Sequence, residues 1–381
     1  MTDIKEESMD LHRKIKGKIT IEAKAKIENK HDLALLYTPG VAEACMQIFK
    51  NPELVYDLTM KHNTVAIVSD GTRVLGLGKI GAEAALPVME GKALIMKEFG
   101  GIDAFPICLK TTDADTIVEI VKNLEPNFGA INLEDIETPK VFEIEQRLIE
   151  EMNIPVFHDD QHGTAMVVLA ALINALKIAK KGKDAKILMV GAGAAGYAIS
   201  HLLPVAGYEN LVVFDREGAI EKSRPNLEPY KIKLAELTNK EGYKGKLEDY
   251  KGADVMICAS SPKSVPHITI NNMRGPKILF SLANPVPEIS LDEAKILSVE
   301  IYGSGRADVP NQINNSVCFP GFLRALLDFR IKKIAPEMKI AAAQAIADVV
   351  SEEELKTGKI IPDTFDKRIL PKILEYVKKV V

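Results

Sequence analysis

The stretch 186-KILMVGAGAAG-196 places a glycine-rich turn directly after a run of apolar residues. It contains the pattern GxGxxG, whose glycines permit a tight turn and let the backbone approach a pyrophosphate group. The residues that follow, 197-YAISHLL-203, have the apolar content of a buried helix. A strand, a glycine turn and a helix in this order predict the first unit of a doubly wound sheet that binds a dinucleotide.

The next predicted strand, within 211-LVVFDREG-218, ends in Asp215, 19 residues after Gly196. A carboxylate at this point accepts a hydrogen bond from the ribose 2′-OH and repels a 2′-phosphate, so NAD is favoured over NADP. Arg216, Lys222 and Arg224 follow closely and soften that preference, which keeps NADP as an alternative. Besides Asp215, the predicted cofactor-binding residues are Gly191, Ala192, Gly193, Ala194, Ala195 and Gly196.

A second match to the pattern, 76-GLGKIG-81, lacks the rest of this context. Its candidate acid, Asp103, precedes the strand 104-AFPICL-109 and would lie at the wrong edge of a sheet. This match is therefore interpreted as a tight turn between a strand and a helix.

Short apolar runs alternate with amphipathic runs along most of the chain, which predicts an α/β fold with buried, largely parallel sheets. We expect an N-terminal α/β domain (1–160), a doubly wound Rossmann-type domain (161–330) and a helical C-terminal tail (331–381). The predicted strands outside the nucleotide motif are 65-VAIVSD-70, 73-RVLGLG-78, 104-AFPICL-109, 129-GAINLEDI-136, 154-IPVFHDD-160, 254-DVMICAS-260 and 277-KILFSLANP-285.

Three segments are predicted to be helical. Residues 1–60 are expected to be mainly helical, and the helix at 80–101 is expected to be interrupted near Pro87 and Gly91. The segment 163-GTAMVVLAALINALKIAKKG-182 is apolar almost all round, so we expect it to be buried between the domains.

Composition limits the possible classes of function. The chain has 381 residues and a formal net charge of −4, which argues against nucleic-acid binding. The N-terminal residues lack the apolar stretch of a signal peptide, and no apolar run is expected to span a membrane. Cys45, Cys108, Cys258 and Cys318 are widely spaced beside apolar residues, as is typical of buried, reduced thiols in a cytoplasmic protein.

Two predicted strands of the first domain end in pairs of acids. Glu134 and Asp135 follow one strand, and Asp159 and Asp160 follow the next. Because the carboxyl ends of parallel strands open on the same edge, the four carboxylates can converge and hold Mg²⁺ or Mn²⁺. The alternative for each pair is helix capping.

Histidines flank the second pair in 158-HDDQHGT-164. A metal-dependent hydrolase that uses His158, Asp160 and His162 is one alternative, but it leaves the glycine motif unexplained. Two further alternatives are an amino-acid dehydrogenase of similar layout and a non-catalytic NAD-binding protein.

The chain resembles the malic enzymes in their short microbial form. The motifs that carry the resemblance occur in the family's order and cover most of the chain. They are 37-YTPGVA-42, 67-IVSDGTRVLGLGKIG-81, 91-GKALIMKEFGGIDAFPI-107, 131-INLEDIETPKVFEIE-145, 156-VFHDDQHGTA-165, 189-MVGAGAAG-196, 281-SLANP-285 and 319-FPGFLRALLD-328.

The resemblance implies oxidation of L-malate and its decarboxylation to pyruvate and CO₂, with oxaloacetate as a further possible substrate. It assigns catalytic roles to Tyr37, Lys92 and Asp159, and metal binding to Glu134, Asp135 and Asp160. Substrate or nicotinamide contacts fall on Arg73, Asn284 and Asn315, with Asn314 as an adjacent candidate. Neither histidine is a metal ligand in this family.

The resemblance also implies a homodimer. The helical N-terminal segment and 370-LPKILEYVKKVV-381 are both expected to expose apolar faces that a second copy would cover. For Lys92 to act as a base, its pKa is expected to be lowered by burial or by a nearby cation.

Overall fold

The structure is a computed structural model that describes residues 4–381. Its first sheet is fully parallel, with the strand order β2-β1-β3-β4. The four strands are β1 (Thr64–Ser69), β2 (Asp103–Cys108), β3 (Ala130–Leu133) and β4 (Val156–His158).

The second sheet has the order β10-β9-β8-β5-β6-β7 and is parallel except for its edge strand β7. The chain turns outward in opposite directions from β5, so the loops after β5 and β8 open a crevice at the carboxyl edge, where doubly wound sheets bind their ligands. The strands are β5 (Ile187–Val190), β6 (Leu211–Asp215), β7 (Gly218–Ala219), β8 (Val255–Cys258), β9 (Ile278–Ser281) and β10 (Ile301–Ser304).

Helices cover both faces of both sheets. The helices of the first half of the chain are α1 (Ile4–Ile15), α2 (Lys30–Leu36), α3 (Val41–Lys50), α4 (Val55–Leu58), α5 (Ala82–Gly100), α6 (Ala114–Leu124), α7 (Lys140–Glu151) and α8 (Thr164–Ala179), of which α5 to α8 pack on the sheets. In the second half they are α9 (Ala194–Val205), α10 (Pro229–Leu237), α11 (His267–Asn271), α12 (Leu291–Ile296), α13 (Phe319–Asp328), α14 (Pro336–Ala347), α15 (Glu352–Lys356) and α16 (Ile369–Val377).

Alternate strand residues enter different cores, because successive side chains of a strand point to opposite faces. In β1, Val65 and Ile67 join the largest core, whereas Ala66 and Val68 pack with residues of α6 and α7. The largest core also contains Ile187 and Met189 of β5, so it is continuous between the two sheets. The predicted α/β class with doubly wound topology is confirmed.

Helix α8 lies at the centre of this shared core, packed against α9 and α14. The expectation that 163–182 is buried is confirmed. The expectation that no run is apolar enough to span a membrane is wrong by length and composition, since Asp159–Ala179 passes that test. However, 67% of its most apolar window is buried inside the protein, as in a core helix.

Two local predictions in the first half are wrong. Residues 73–78 form a turn with only a single bridge, between Val74 and Gly78, because no partner strand lies beside them. Helix α5 runs unbroken through Pro87 and Gly91. Pro87 lies in the second turn of the helix, where its ring removes one hydrogen bond that the rest of the long helix tolerates.

The N-terminal segment is only partly helical. Residues 16–29 contain no helix, and the first three residues of that prediction lie outside the described residues. Within the described part, α1 to α4 bury no residue at all. All four cysteines are free, but Cys45 on α3 is exposed, so the expectation that every thiol is buried is wrong.

Helix α16 behaves differently from the prediction for 370–381. It buries Ile369, Ile373 and Val377 against α13 and α14 of the same chain. Its apolar face is therefore covered within the same chain, whereas the described N-terminal segment exposes large apolar side chains.

Candidate active site

A single turn of π-helix, Asp159–Gly163, connects the end of β4 to the start of α8. It directs the Asp159 carboxylate back over Gly163. A Cβ on Gly163 would lie 1.9 Å from Asp159 Oδ1, so only glycine allows this conformation. Turns of this type are frequent at functional sites.

Lys92 of α5 points into the space that this turn borders. Its Nζ lies 2.6 Å from Asp159 Oδ2, 2.8 Å from Glu134 Oε1 and 4.4 Å from the centroid of the Phe319 ring. Burial acts to lower the lysine pKa, but the charges of Asp159 and Glu134 outweigh it, and the pKa is raised. The expected lowering of this pKa is therefore absent while the carboxylates keep their full charge.

Glu134, Asp135 and Asp160 form a second layer of carboxylates, with one oxygen of each within 4.8 Å of the others. Asp135 adopts a left-handed φ of 54°, and its backbone N–H donates to Asp160 Oδ2 at 3.2 Å. The alternative of helix capping is wrong for both, because α7 and α8 begin without a side-chain cap.

The protonation of these acids reflects their crowding. Burial and then the neighbouring Asp160 raise the pKa of Asp135 to about 7. Burial also raises the pKa of Glu134, and the pull of Lys92 does not offset it. For Asp160, burial acts upward, but His158 and Lys92 prevail and hold its pKa at about 2. Like charges gathered in a buried site are costly unless a cation offsets them.

These residues fit a divalent cation. Three carboxylates form an all-oxygen donor set of the kind that Mg²⁺ and Mn²⁺ prefer. In addition, Asp135 Oδ2 is buried and has no hydrogen-bond partner among the described residues. A buried carboxylate oxygen without a partner beside two further carboxylates is the arrangement that a metal ion would satisfy.

The two histidines of the turn do not join this donor set. His158 is fully buried, with Nδ1 at 2.6 Å from Gln161 Nε2 and Nε2 at 3.6 Å from Asp160 Oδ2. His162 faces away, since its Nε2 is 2.7 Å from Glu145 Oε1 on α7. The hydrolase site of His158, Asp160 and His162 is therefore not assembled.

Two asparagines precede α13 and only one reaches the site. Asn315 Nδ2 donates to Asp159 Oδ2 at 2.7 Å. The Asn314 side chain instead caps the following turn by accepting from the Ser316 N–H at 2.9 Å.

The dinucleotide motif lines a cleft of about 880 Å³. Gly191, Ala192 and Gly193 form one wall, and Arg73 and Ser260 lie on others. A Cβ on Gly196 would lie 2.0 Å from the Gly191 carbonyl oxygen, so the turn before α9 requires glycine there. The open glycine turn at the start of a helix fits a pyrophosphate group.

Arg73 follows β1 of the first sheet, and Asn284 follows β9 of the second. The Arg73 N–H donates to the Asp135 carbonyl at 3.0 Å, and its guanidinium group lies 3.4 Å from Thr138 Oγ1. Asn284 Nδ2 lies 3.5 Å from the Gly305 carbonyl oxygen. Arg73 lines the dinucleotide cleft.

Asp215 ends β6 at the edge of the cleft, as predicted. Its carboxylate accepts from Arg224 Nη1 at 2.9 Å and pairs with Arg224 Nη2 and, at 3.1 Å, with Lys231. Burial acts to raise its pKa, but these two cations lower it. Of the three basic residues that the sequence singled out, only Arg224 is thus paired with this carboxylate, and Lys231 was missed.

Tyr37 is not part of this assembly. It is the residue after α2, its side chain is 66% exposed, and its hydroxyl makes no hydrogen bond to any described residue. Within one chain, Lys92, Asp159 and the three acids predicted to bind a metal come together, and Tyr37 lies apart from them.

Sequence reasoning also missed Asn132 and Phe319. Asn132 Nδ2 donates to Glu134 Oε2 at 2.7 Å and so orients the carboxylate that faces Lys92. A polar residue inside the apolar strand, two positions before Glu134 and hence on the same face, was the available signal. Phe319 gave no such signal, because its contact with Lys92 depends on tertiary packing.

Comparison with known proteins agrees with this arrangement. The family model "Malic enzyme, N-terminal domain" matches residues 16–114 and 110–149, and "Malic enzyme, NAD binding domain" matches residues 161–369. The chain is 51% identical over 365 residues to the NAD-dependent malic enzyme of Geobacillus stearothermophilus, covering 95% of this chain and 76% of the relative. It is 49% identical to the bifunctional malic/malolactic enzyme of Bacillus subtilis, covering 99% and 92%.

Solved structures give the same result. The NAD-dependent malic enzyme of Thermotoga maritima superposes with a TM-score of 0.93 at 45% identity, over 97% of this chain and 98% of that one. The malic enzyme of Pyrococcus horikoshii superposes with a TM-score of 0.92 at 43% identity, over 99% and 91%. The chain therefore belongs to the malic enzyme family of oxidoreductases.

Proposed function

We propose that this protein oxidises L-malate with NAD or NADP and decarboxylates the product to pyruvate and CO₂. The observation that carries the proposal is the buried Lys92, held between Asp159 and Glu134 beside two further carboxylates. This arrangement supplies a proton-transfer group and an oxygen-rich metal site next to the dinucleotide cleft.

Glu134, Asp135 and Asp160 are the residues that would hold the metal. When bound, a divalent cation would offset their charge, acidify the malate hydroxyl group and stabilise negative charge on the same oxygen. Asn132 and His158 hold Glu134 and Asp160 in place, as supporting residues of a metal site do.

Once a bound cation offsets the carboxylate charges that raise its pKa, Lys92 would be free to accept the C2 hydroxyl proton as the C2 hydride leaves for the nicotinamide ring. Asp159 and Asn315 fix the position of this lysine, because Asp159 Oδ2 binds both Lys92 Nζ and Asn315 Nδ2. Arg73 is the cation at the cleft that would bind a malate carboxylate, and Asn284 would contact the substrate or the nicotinamide.

Decarboxylation then breaks the C3–C4 bond, and the electron pair passes into an enolate of pyruvate. Lys92 returns its proton to the enolate oxygen, which gives the enol. Lys92 then takes that O–H proton back as a separate acid protonates C3, so that the ketone of pyruvate forms. We assign that role to Tyr37.

Within its own chain, Tyr37 lies outside the proposed active site. For Tyr37 to protonate C3, it must therefore enter the site of another chain. The segment that carries it exposes large apolar side chains, among them Ile21 at 85% and Phe49 at 80%. Such a surface indicates a protein interface. We infer a homodimer in which this segment packs on the partner, so that each site receives Tyr37 from the other chain.

The domain division at residues 160 and 330 is likewise our proposal, supported by the two separate sheets. We infer a cytoplasmic location from the four free cysteines, since reduced thiols are typical of that compartment.

The function is tested by supplying L-malate, Mn²⁺ and either nicotinamide cofactor, and measuring reduced cofactor, CO₂ and pyruvate together. We expect equal yields of the three, loss of turnover with EDTA, and loss of several orders of magnitude in Lys92→Met with dinucleotide binding retained. The matched control is Lys97→Met on the same helix. Reduced cofactor without CO₂, or lactate in place of pyruvate, would contradict the proposal.

A further inference from the structure

A second cavity, of about 710 Å³, lies between helices that flank the two different sheets. Its walls come from α7, α9, α10 and α14 and from Gln161 and His162 of the π-helical turn. We call it the α7–α9 pocket. It shares only Glu228 and Tyr230 with the dinucleotide cleft, so it is a separate site. Its volume lies within the range of pockets that bind small molecules.

One wall of the α7–α9 pocket is aromatic. Phe142 lies 4.5 Å from Tyr197 and 5.1 Å from Tyr230, measured between ring centroids. Leu202 and Val205 extend this wall along α9. A surface of this kind favours a flat apolar group.

Every carboxylate that lines the pocket already has a partner. Glu145 accepts from Gln161 and His162, each at 2.7 Å, and Glu143 pairs with Arg147 at 3.3 Å. Glu150 accepts from Gln146 at 3.0 Å, and Glu228 pairs with Lys231 at 2.7 Å.

Two of the three lining lysines have no carboxylate partner among the described residues. Lys140 is paired with Asp70 at 2.5 Å. Lys339 Nζ lies 3.0 Å from His162 Nδ1, and neither Lys339 nor Lys233 on α10 makes an ion pair with a described residue. The pocket therefore combines an apolar aromatic wall with two lysines that make no direct ion pair with a described carboxylate, although Glu145 lies near enough to Lys339 to act on its charge.

Burial supports this reading of Lys339. It lowers the pKa of the ammonium group to about 8, although Glu145 acts in the opposite direction. An anion placed against this lysine would restore the interaction that burial removes.

We propose that the α7–α9 pocket binds a small organic anion with a flat apolar body, its ring against the aromatic wall and its anionic group against Lys339 and Lys233. The binding step is independent of the reaction proposed above, so it can succeed or fail separately from that function.

The test uses 8-anilinonaphthalene-1-sulfonate, an aromatic sulfonate that fluoresces when it leaves water. The full chain is titrated in its own oligomeric state with NAD at saturation, so that the dinucleotide cleft is filled. We expect saturable binding of one probe per chain. The neutral N-phenyl-1-naphthylamine is expected to bind at least about tenfold more weakly, because it lacks the charge-assisted contacts.

Lys339→Met and Lys233→Met are each expected to weaken the sulfonate about tenfold, whereas Lys367→Met, at an exposed lysine outside the pocket, leaves its affinity unchanged. Lys233 is exposed, so its variant tests the proposal even if Lys339→Met fails to fold. The proposal is overturned if NAD displaces the probe, if the neutral and charged probes bind equally, if neither lysine variant changes the affinity, or if no probe binds because a second copy covers the pocket.

Discussion

Asp135 is the carboxyl group of the proposed metal site whose protonation changes near neutral pH. Its pKa is raised to about 7 by burial and by Asp160. A carboxyl group must lose its proton to coordinate a metal, so Mn²⁺ affinity is expected to fall as the pH drops below this value. The slope should reach at least about tenfold per pH unit, because Asp135 releases one proton and Glu134, whose pKa is also raised, adds to the release.

This pH dependence is measured by titrating Mn²⁺ calorimetrically between roughly pH 6 and pH 8, in two buffers that differ in ionisation enthalpy. The difference in binding enthalpy between the two buffers gives the number of protons released when Mn²⁺ binds. Asp135→Asn is expected to bind more weakly and to release fewer protons. An affinity that stays constant across this range would show that Asp135 is not a ligand.

Asp215 sets the coenzyme preference at the residue scale. Its carboxylate repels a 2′-phosphate, but Arg224 and Lys231 offset part of that charge. We expect kcat/KM to be higher with NAD than with NADP. Lys231→Gln should lower kcat/KM for NADP by about tenfold and change the value for NAD less than about twofold, because it exposes the charge of Asp215.

Lys222→Gln is the control for this coenzyme prediction, since Lys222 is exposed and unpaired in the described chain. The prediction is wrong if the wild-type enzyme prefers NADP, or if Lys231→Gln loses the activities with NAD and NADP equally. Either result would show that another residue distinguishes the ribose 2′-OH from the 2′-phosphate.

Most of the proposed site could be predicted because its residues end strands or follow glycine motifs. Glu134, Asp135, Asp159 and Asp160 are brought together by the register of β3 and β4, which the alternation of apolar runs already indicated. The paired state of Asp215 could not be predicted, because Lys231 approaches it from a helix whose position depends on tertiary packing.

At the scale of elements, Glu288 joins the loops that follow β8 and β9. The Ser260 N–H donates to Oε1 at 2.7 Å, and the Ser281 hydroxyl and the Ala283 N–H donate to Oε2 at 2.8 and 3.0 Å. Glu288 is only 1% exposed, so water cannot take the place of its carboxylate as the acceptor for these donors. Both loops belong to the proposed site, because Ser260 lines the dinucleotide cleft and Asn284 is a proposed contact of the substrate or the nicotinamide.

Glu288→Gln is expected to place an amide N–H against one of these donors. We predict a loss of about 1–3 kcal/mol in the free energy of unfolding, measured with urea, and weaker NAD binding with unchanged Mn²⁺ binding. Glu300→Gln is the matched control, because Glu300 also accepts a backbone N–H, from Lys277 at 2.6 Å, but lies outside the cleft. Equal effects of both variants would refute the role of Glu288.

Elements with a clear period of apolar residues could be predicted from the sequence. Elements whose structure depends on the packing of a neighbouring element could not. The buried strands and α8 follow from their apolar content alone. By contrast, 73-RVLGLG-78 alternates like a strand but has no strand to pair with, and α16 uses an apolar face that the sequence left open to a second copy. The period of apolar residues indicates which face of a helix or strand is apolar, but it does not indicate which part of the protein, or which second copy, covers that face.

At the scale of the whole molecule, Lys92 and Tyr37 lie in different environments of one chain. Lys92 is enclosed by the core, whereas Tyr37 lies on a segment with no buried helix residue in the described part. A symmetric dimer can bring the two together through an exchanged segment. Under this arrangement, Tyr37→Phe homodimers and Lys92→Met homodimers both lack a complete site.

A mixed dimer of one Tyr37→Phe chain and one Lys92→Met chain distinguishes the two possibilities. If Tyr37 acts on the partner, one site contains both an intact lysine and an intact tyrosine, and about half of the wild-type turnover returns. If it acts within its own chain, both sites are incomplete. The control pairs a wild-type chain with a Tyr37→Phe/Lys92→Met chain and inverts the outcome, since only action within one chain leaves an active site. Purification through two different tags isolates each mixed dimer, and an inactive first dimer with an active control would disprove the exchange.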